Sequence, residues 1–280
     1  MLFEGLGIAA VDFRCRAHVE ADGPEEPNPT HSIVFVRRGV FRRSKRGETL
    51  VADPNHVLFF NAAEPYGYSH PVAGGDDCTI LTVATARALE LVTRFEPRDA
   101  EREEAPFRPG HAIRSRRAAR LHFELLALVR RRAAALTIED LLAELADEAL
   151  RSAYATERPR TDESSSTIGV RRRRDLVEAA QLALNERPGS PPSLGALAER
   201  LGCSPFHLSR TFHRCVGLSL RAYFGGLRTS LAAERLLCGE RDLTALALDL
   251  GYFDHSHFTN AFRSEWGLPP SKLRAHAPMR

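Results

Sequence analysis

Short apolar and alternating runs fill the first third of the chain, and a three-and-four helical spacing replaces them afterwards. Ser32–Val36, Thr49–Ala52, Val57–Phe60 and Cys78–Thr85 are the runs. Turn-forming clusters separate them: Asp22-Gly23-Pro24, Arg38-Gly39, Arg46-Gly47, Asp53-Pro54-Asn55 and Gly74-Gly75-Asp76. Short strands at such close spacing predict a small β-barrel or jelly roll. From about Ala86 the period is helical. A short helix is expected over Ala86–Phe95, a connector over Phe107–His111, and a longer helix over Ile113–Ala134. The longer helix places Ala118, Leu121, Leu125 and Leu128 on one face. The next helix repeats the pattern with Ile138, Leu141, Leu142, Leu145 and Ala149, with Thr137 as its cap. Two such helices make an αα-hairpin. Their apolar faces either cover the open side of the β domain or form a subunit interface through Leu121, Leu125 and Leu128.

Residues Ala155–Val170 lose all apolar periodicity and are rich in Ser, Thr, Pro and charge, as an interdomain linker would be. Helices follow to the end. Arg172–Asn185 carries Leu176, Ala179, Ala180 and Ala183 on one side, and Pro188, Pro191 and Pro192 break it. Ser193 caps Leu194–Leu201, Gly202 ends that helix, and Ser204 caps the next, with Pro205 at its first position. That helix buries Leu208, Thr211, Phe212 and Cys215 and exposes Phe206, His207, Ser209, Arg210, His213 and Arg214. The same grammar returns at Leu243–Gly267. Gly251 stops a first helix, Asp254 caps a second, Phe258, Ala261 and Phe262 share the inner face, and His255, Ser256, Thr259, Asn260 and Arg263 the outer one. Each unit is a helix-turn-helix, and equivalent positions lie about 49 residues apart.

A helix over Ser219–Cys238 joins the two units. Its length of about 30 Å approaches the ~34 Å between successive major-groove faces on one side of B-DNA. Gly225-Gly226 interrupts it, either for close packing or as slack.

Charge sharpens this picture. The chain has 39 Lys+Arg and 36 Asp+Glu, a net +3. Residues 171–280 hold 16 basic and 10 acidic side chains, so the helix-turn-helix half is positive and the rest negative. A basic half suits a polyanionic partner. The arginine run 171–174 either is a solvated face or contacts phosphate. Five scattered cysteines with no CxxC spacing exclude a disulfide framework and a structural zinc motif, and Cys203 and Cys215 are expected as small core residues. No apolar run spans a bilayer and no secretory leader begins the chain, so a cytoplasmic protein without a membrane partner is expected.

The residues LAERLGCSPFHLSRTFHRCVG at 197–217 and ALDLGYFDHSHFTNAFRSEWGLPPSKLR at 247–274 resemble the DNA-binding domain of AraC/XylS-type bacterial transcription regulators. The resemblance implies two recognition helices in adjacent major grooves, with Phe206, Ser209 and Arg210 in the first and His255, Ser256, Thr259 and Asn260 in the second at base-facing positions. Arg210 suits guanine O6/N7, Asn260 adenine N6/N7, and Phe206 a thymine methyl. His207, Arg214 and Arg263 complete the expected contact set.

The N-terminal half resembles, more weakly, the cupin-like sensing domain of the same family. That implies a small-molecule effector inside the barrel, a homodimer through the following helices, and possible contact with RNA polymerase. His31, Phe35, Tyr66, Tyr68 and His70 are the candidate pocket residues. His18, His31, His56 and His70 are scattered without an HxH pair, so no metal, cofactor or catalytic residue is assigned.

The expected fold is α+β. A cupin-like barrel with its αα-hairpin spans 1–154, with helices from about 112, and a linker spans 155–170. An all-α DNA-binding domain spans 171–280, with helix-turn-helix units at 194–217 and 243–267. The function expected is a sequence-specific transcription regulator binding double-stranded DNA, and not an enzyme. The alternatives are a metal-dependent cupin enzyme fused to a DNA-binding domain, or a regulator whose first half only dimerises.

Overall fold

The computed structural model describes residues 1–16, 23–156, 167–190 and 192–274. His18, most of the expected linker, and Pro191 lie outside them. The chain folds as two antiparallel sheets, a helical hairpin and a helical C-terminal half, which is the α+β class expected.

The strands are β1 (Phe3–Glu4), β2 (Ile8–Cys15), β3 (Glu26–Pro27), β4 (His31–Gly39), β5 (Phe41–Lys45), β6 (Glu48–Ala52), β7 (His56–Phe60), β8 (Pro65–Ser69), β9 (Asp76–Val83) and β10 (His111–Ile113). One sheet has the order β1-β2-β9-β4-β7-β10, the other β3-β8-β5-β6. The sheets face each other, because Val34, Val36, Leu58 and Cys78 of the first share one apolar cluster with Phe41 and Ala52 of the second. The other face of the large sheet presents Ile33, Phe35, Val57, Phe59, Leu81 and Val83. Period-two alternation divides each strand between the two layers.

Helices α1 (Thr85–Thr93), α2 (Arg116–Arg130) and α3 (Ala135–Thr156) cover that second face. Leu121, Leu125 and Leu145 are buried in the same cluster as Phe35 and Leu81. This corrects the subunit-interface assignment. Leu121 and Leu125 are already spent on the core of their own chain, and Leu128 packs against that core half-buried. Two further expectations are corrected. Thr137 lies inside α3, which begins at Ala135, and His111 opens a strand rather than ending a loop.

The C-terminal half holds α4 (Thr167–Glu186), α5 (Leu194–Arg200), α6 (Pro205–Val216), α7 (Leu220–Leu237), α8 (Leu243–Asp249), α9 (His255–Trp266) and α10 (Pro270–Arg274). The first unit closes its core with Val177, Ala180, Leu197, Leu208, Phe212, Tyr223 and neighbours from α4 to α7. The second unit borrows from the first half. Ala119, Phe123, Leu126 and Ala127 of α2 share a cluster with Leu236, Leu246, Phe258, Phe262 and Trp266. One face of α2 thus belongs to the sheet core and the other to the second helix-turn-helix.

Polar groups lock the halves further. Asp53, in the turn between β6 and β7, is fully buried. Its carboxylate accepts from Asn55 N at 2.9 Å, Asn185 Nδ2 at 2.8 Å and the Tyr223 hydroxyl, and lies 3.0 Å from His56 Nδ1. Burial pushes its pKa up, but His56, Tyr223 and Asn185 outweigh that, and the group sits below its ordinary value. Asn55 Nδ2 donates to Tyr223 O at 3.1 Å, and Arg114 Nη2 to Ser230 Oγ at 2.8 Å. Gly226 stands where α7 meets this turn, and a Cβ there would overlap Asn55 Oδ1. A Cβ at Gly225 would meet nothing. Of the two roles open to the glycine pair, close packing explains Gly226.

Candidate nucleic-acid interface

Capping builds each unit. Ser193 Oγ accepts from Ala196 N at 3.1 Å, and Ser204 Oγ from His207 N at 3.2 Å. Pro205 takes the first helical position and Gly217, at φ 84°, ends α6. In the second unit Asp242 caps α8 through Thr244 N and Ala245 N, both at 2.9 Å, and Asp254 caps α9 through His257 N at 2.7 Å. Gly251 holds φ 71° in the turn, and a Cβ on it would also strike the Gly189 carbonyl. The second turn is one residue longer than the first: Tyr252-Phe253 stands where the first has Cys203 alone. Tyr252 is buried beneath Arg228, whose guanidinium lies 3.5 Å from the ring centroid, and Phe253 is exposed.

The expected faces are largely presented. In α6, Leu208, Thr211 and Phe212 point inward, and His207, Arg210, His213 and Arg214 are exposed. Phe206 is 74% exposed, which for a phenylalanine at a helix start marks a contact surface. Ser209 is half-buried. In α9, Phe258, Phe262 and Trp266 are buried, Ala261 is half-buried, and His255, Ser256, Asn260 and Arg263 are exposed. Thr259 departs from expectation. It is half-buried, and its hydroxyl is covered without a hydrogen-bond partner. Cys203 is half-buried against the core of the first unit, whereas Cys215 is exposed and is not the core residue expected. Arg173 of α4 was unassigned as an individual contact, yet it borders the hollow formed by Phe206, His207, Arg210 and Arg214. Its signal in the sequence was the arginine run.

Helix α7 has 18 residues, or about 27 Å of rise, and joins the units without a break. A helix-turn-helix family model, described as "Helix-turn-helix domain", matches residues 197–276. The regulatory protein SoxS of Salmonella typhimurium is 32% identical over 91 residues, covering 32% of this chain and 85% of SoxS. The chain belongs to the AraC/XylS family of transcription regulators. The multiple antibiotic resistance protein MarA of the same organism is 32% identical over 85 residues, 30% of this chain and 67% of MarA. Among solved structures, apo ToxT from Vibrio cholerae aligns over 98% of this chain and 99% of its own with 11% identity and a TM-score of 0.41. As an AraC-type protein this chain is a DNA-binding transcription regulator. No helix among its described residues is long and apolar enough to cross a membrane.

The candidate effector residues do not converge. His31 and Phe35 point to the helix-covered face of the large sheet. Phe35 is buried against His122, with ring centroids 4.8 Å apart, and His31 Nδ1 accepts from Ala62 N at 3.1 Å. Tyr66 packs on Phe60 between the sheets, and His70 pairs there with Asp76. Tyr68 is exposed. Residues on opposite faces of one sheet cannot line one pocket, so the five-residue site is corrected.

A cavity of about 1120 Å³ lies elsewhere, between β5, β6 and β10 of the first half and α4 and α6 of the second. Its walls carry Arg43, Lys45, Arg46, Arg108, Arg173, Arg174 and Arg214 against only Glu48 and Glu178. Arg43 is the unusual member. It is buried, donates to the Gly110 carbonyl at 2.8 Å, lies over the Phe60 ring, and meets no carboxylate among the described residues. Burial lowers its pKa to about 10. His111, which opens β10 and lines the same cavity, is lowered in pKa by desolvation there and then by His56, Arg43 and Arg174.

Proposed function

We propose that this regulator, not an enzyme, reads a specific duplex sequence with the outer faces of α6 and α9. Arg210 grips guanine, Asn260 adenine, and Phe206 a thymine methyl. His207, Ser209, Arg214, His255, Ser256 and Arg263 contribute backbone or secondary contacts, with Arg173 added as a phosphate contact. Thr259 reaches the duplex only if α9 shifts on its support. The observation that carries this reading is the pair of capped helices, each with an apolar face packed in a core and a polar face in solvent. A mobility-shift titration on the neighbouring promoter DNA tests it. Equal binding by wild type and an Arg210→Ala/Asn260→Ala double variant would sink the assignment.

The protein acts in the cytoplasm as a homodimer, by a surface other than Leu121 and Leu125, and engages RNA polymerase once on DNA. Its effector is a small organic anion held in the interdomain cavity rather than in the barrel. The support is Arg43, a buried guanidinium with no carboxylate in direct ion-pair contact among the described residues, in a cavity whose walls carry more basic than acidic side chains and which α6 borders. A thermal-shift panel of organic acids should raise the melting temperature of wild type more than that of Arg43→Met. A panel without any shift would favour a first half that only dimerises.

A further inference from the structure

At one end of the space between the sheets, three side chains with metal-binding atoms meet, and a fourth, Cys78, borders one of them. Cys15 ends β2 and stands directly opposite Asp76, which opens β9. Cys78 is two residues along β9 and on the same face as Asp76. His70 follows β8 of the facing sheet. A ligand atom from each of Cys15, His70 and Asp76 lies within 4.8 Å of the other two. His70 Nε2 is 2.5 Å from one Asp76 oxygen, and Cys78 Sγ donates to the other at 3.0 Å. His70, Asp76 and Cys78 are buried, and Cys15 is half-buried. His70 Nδ1 is buried without a hydrogen-bond partner among the described residues. Among the described residues no other three His, Cys, Asp or Glu side chains converge in this way.

We propose that Cys15, His70 and Asp76, with Cys78 as a fourth ligand, form a binding site for a tetrahedral divalent metal ion of the zinc class. Thiolate sulfur, imidazole nitrogen and carboxylate oxygen together are the donor set of such ions and not of calcium or magnesium. Bonds of about 2.0–2.3 Å place tetrahedral ligand atoms about 3.3–3.8 Å apart. Among Cys15, His70 and Asp76, separations of up to 4.8 Å therefore close by roughly 1 Å at most, and the 2.5 Å His70–Asp76 contact opens by a similar amount. Side-chain rotation covers both movements. Each coordinating thiol releases its proton to solvent as its sulfur–metal bond forms, and no electrons are exchanged.

A Cys15–Cys78 disulfide fits these residues less well, because the two are diagonal neighbours in the register. Diagonal Cα atoms in such a ladder are roughly 7–8 Å apart, whereas a disulfide requires less than about 7 Å. An ion here would tie the ends of β2 and β9 to the facing sheet beside β8.

The test uses the full chain, reduced and stripped with a chelator, then titrated with Zn²⁺ or Co²⁺ alone. Wild type should take up one ion per chain. The Co²⁺ form should show thiolate-to-metal charge-transfer absorption, and Zn²⁺ should raise the melting temperature. Cys15→Ser, a half-exposed change at a strand end, and His70→Gln should each weaken uptake by at least about 100-fold. Cys203→Ser, in the other half, should leave it unchanged. No stoichiometric uptake by wild type would overturn the proposal. So would uptake by folded Cys15→Ser that matches wild type, whether or not His70→Gln folds.

Discussion

Adjacent glycines in α7 should respond to the same substitution with opposite signs. In an open helix position, replacing glycine by alanine stabilises by roughly 0.5–1 kcal/mol, because the unfolded chain loses freedom and the helix gains propensity. Gly225 is such a position, with nothing within 4 Å of its new Cβ. Gly226 offers the same gain, but its Cβ would overlap Asn55 Oδ1 and lie 3.3 Å from Asn55 Cγ. Asn55 must then turn away. It would lose the 3.1 Å bond to Tyr223 O, and a buried amide left unsatisfied costs about 1–3 kcal/mol. Subtracting the propensity gain leaves Gly226→Ala destabilised by roughly 0–2.5 kcal/mol, and overpacking of the turn adds about 1–3 kcal/mol more. The propensity gain is common to both, so the two variants should differ by at least about 2 kcal/mol, or some 4–8 °C in melting temperature for a chain of this size. Paired thermal and urea melts of the full chain measure it. A Gly226→Ala protein as stable as Gly225→Ala would refute the close approach of α7 to the β6–β7 turn.

Arg210→Ala should weaken binding to the preferred duplex by about 1–3 kcal/mol while changing non-specific binding little, read by mobility shift at fixed salt. Asp254→Ala removes the cap of α9, and urea melts should show a loss of about 0.5–2 kcal/mol. Asp53 is held below its ordinary pKa in the folded state, so its contribution is present above about pH 4 and fades as pH falls through the folded value. Wild type should thus lose stability more steeply than Asp53→Asn as pH falls below about 4, compared by urea denaturation at successive pH values.

What could be read from sequence was what depends on near neighbours along the chain. The caps Ser193, Ser204 and Asp254, the stops Gly202 and Gly251, and the apolar spacing of Phe258 and Phe262 are all local signals, and the structure has them in place. Asp242 escaped notice because its carboxylate caps across a short turn without an apolar residue before it. Strand β2 was missed for a different reason. It lies next to the edge of the sheet, and its charged Asp12 and Arg14 interrupt the apolar run. The Asp53–Tyr223 lock joins residues 170 positions apart, so no window along the chain contains it. Cys15, His70 and Asp76 meet only through strand register and sheet facing, which spacing alone does not reveal. The effector residues failed because alternate positions of a strand face opposite layers, and His31 and Phe35 were grouped with Tyr66 and His70 across that divide.

SoxS matches this chain over 85% of its own length, so a DNA-reading module can make up nearly all of a regulator in this family. Here that module is not self-contained. Phe123 of α2 lies edge-on to Trp266 at 6.1 Å, and Arg114 covers the same indole at 5.1 Å. Cutting the chain in the segment before α4 would strip α9 of that cover and leave a tryptophan-centred apolar patch in water. A fragment of residues 167–280 should therefore be less soluble than the full chain. The same graft constrains descent: exchanging sensor halves between relatives would also require exchanging the face of α2 that the second unit packs against.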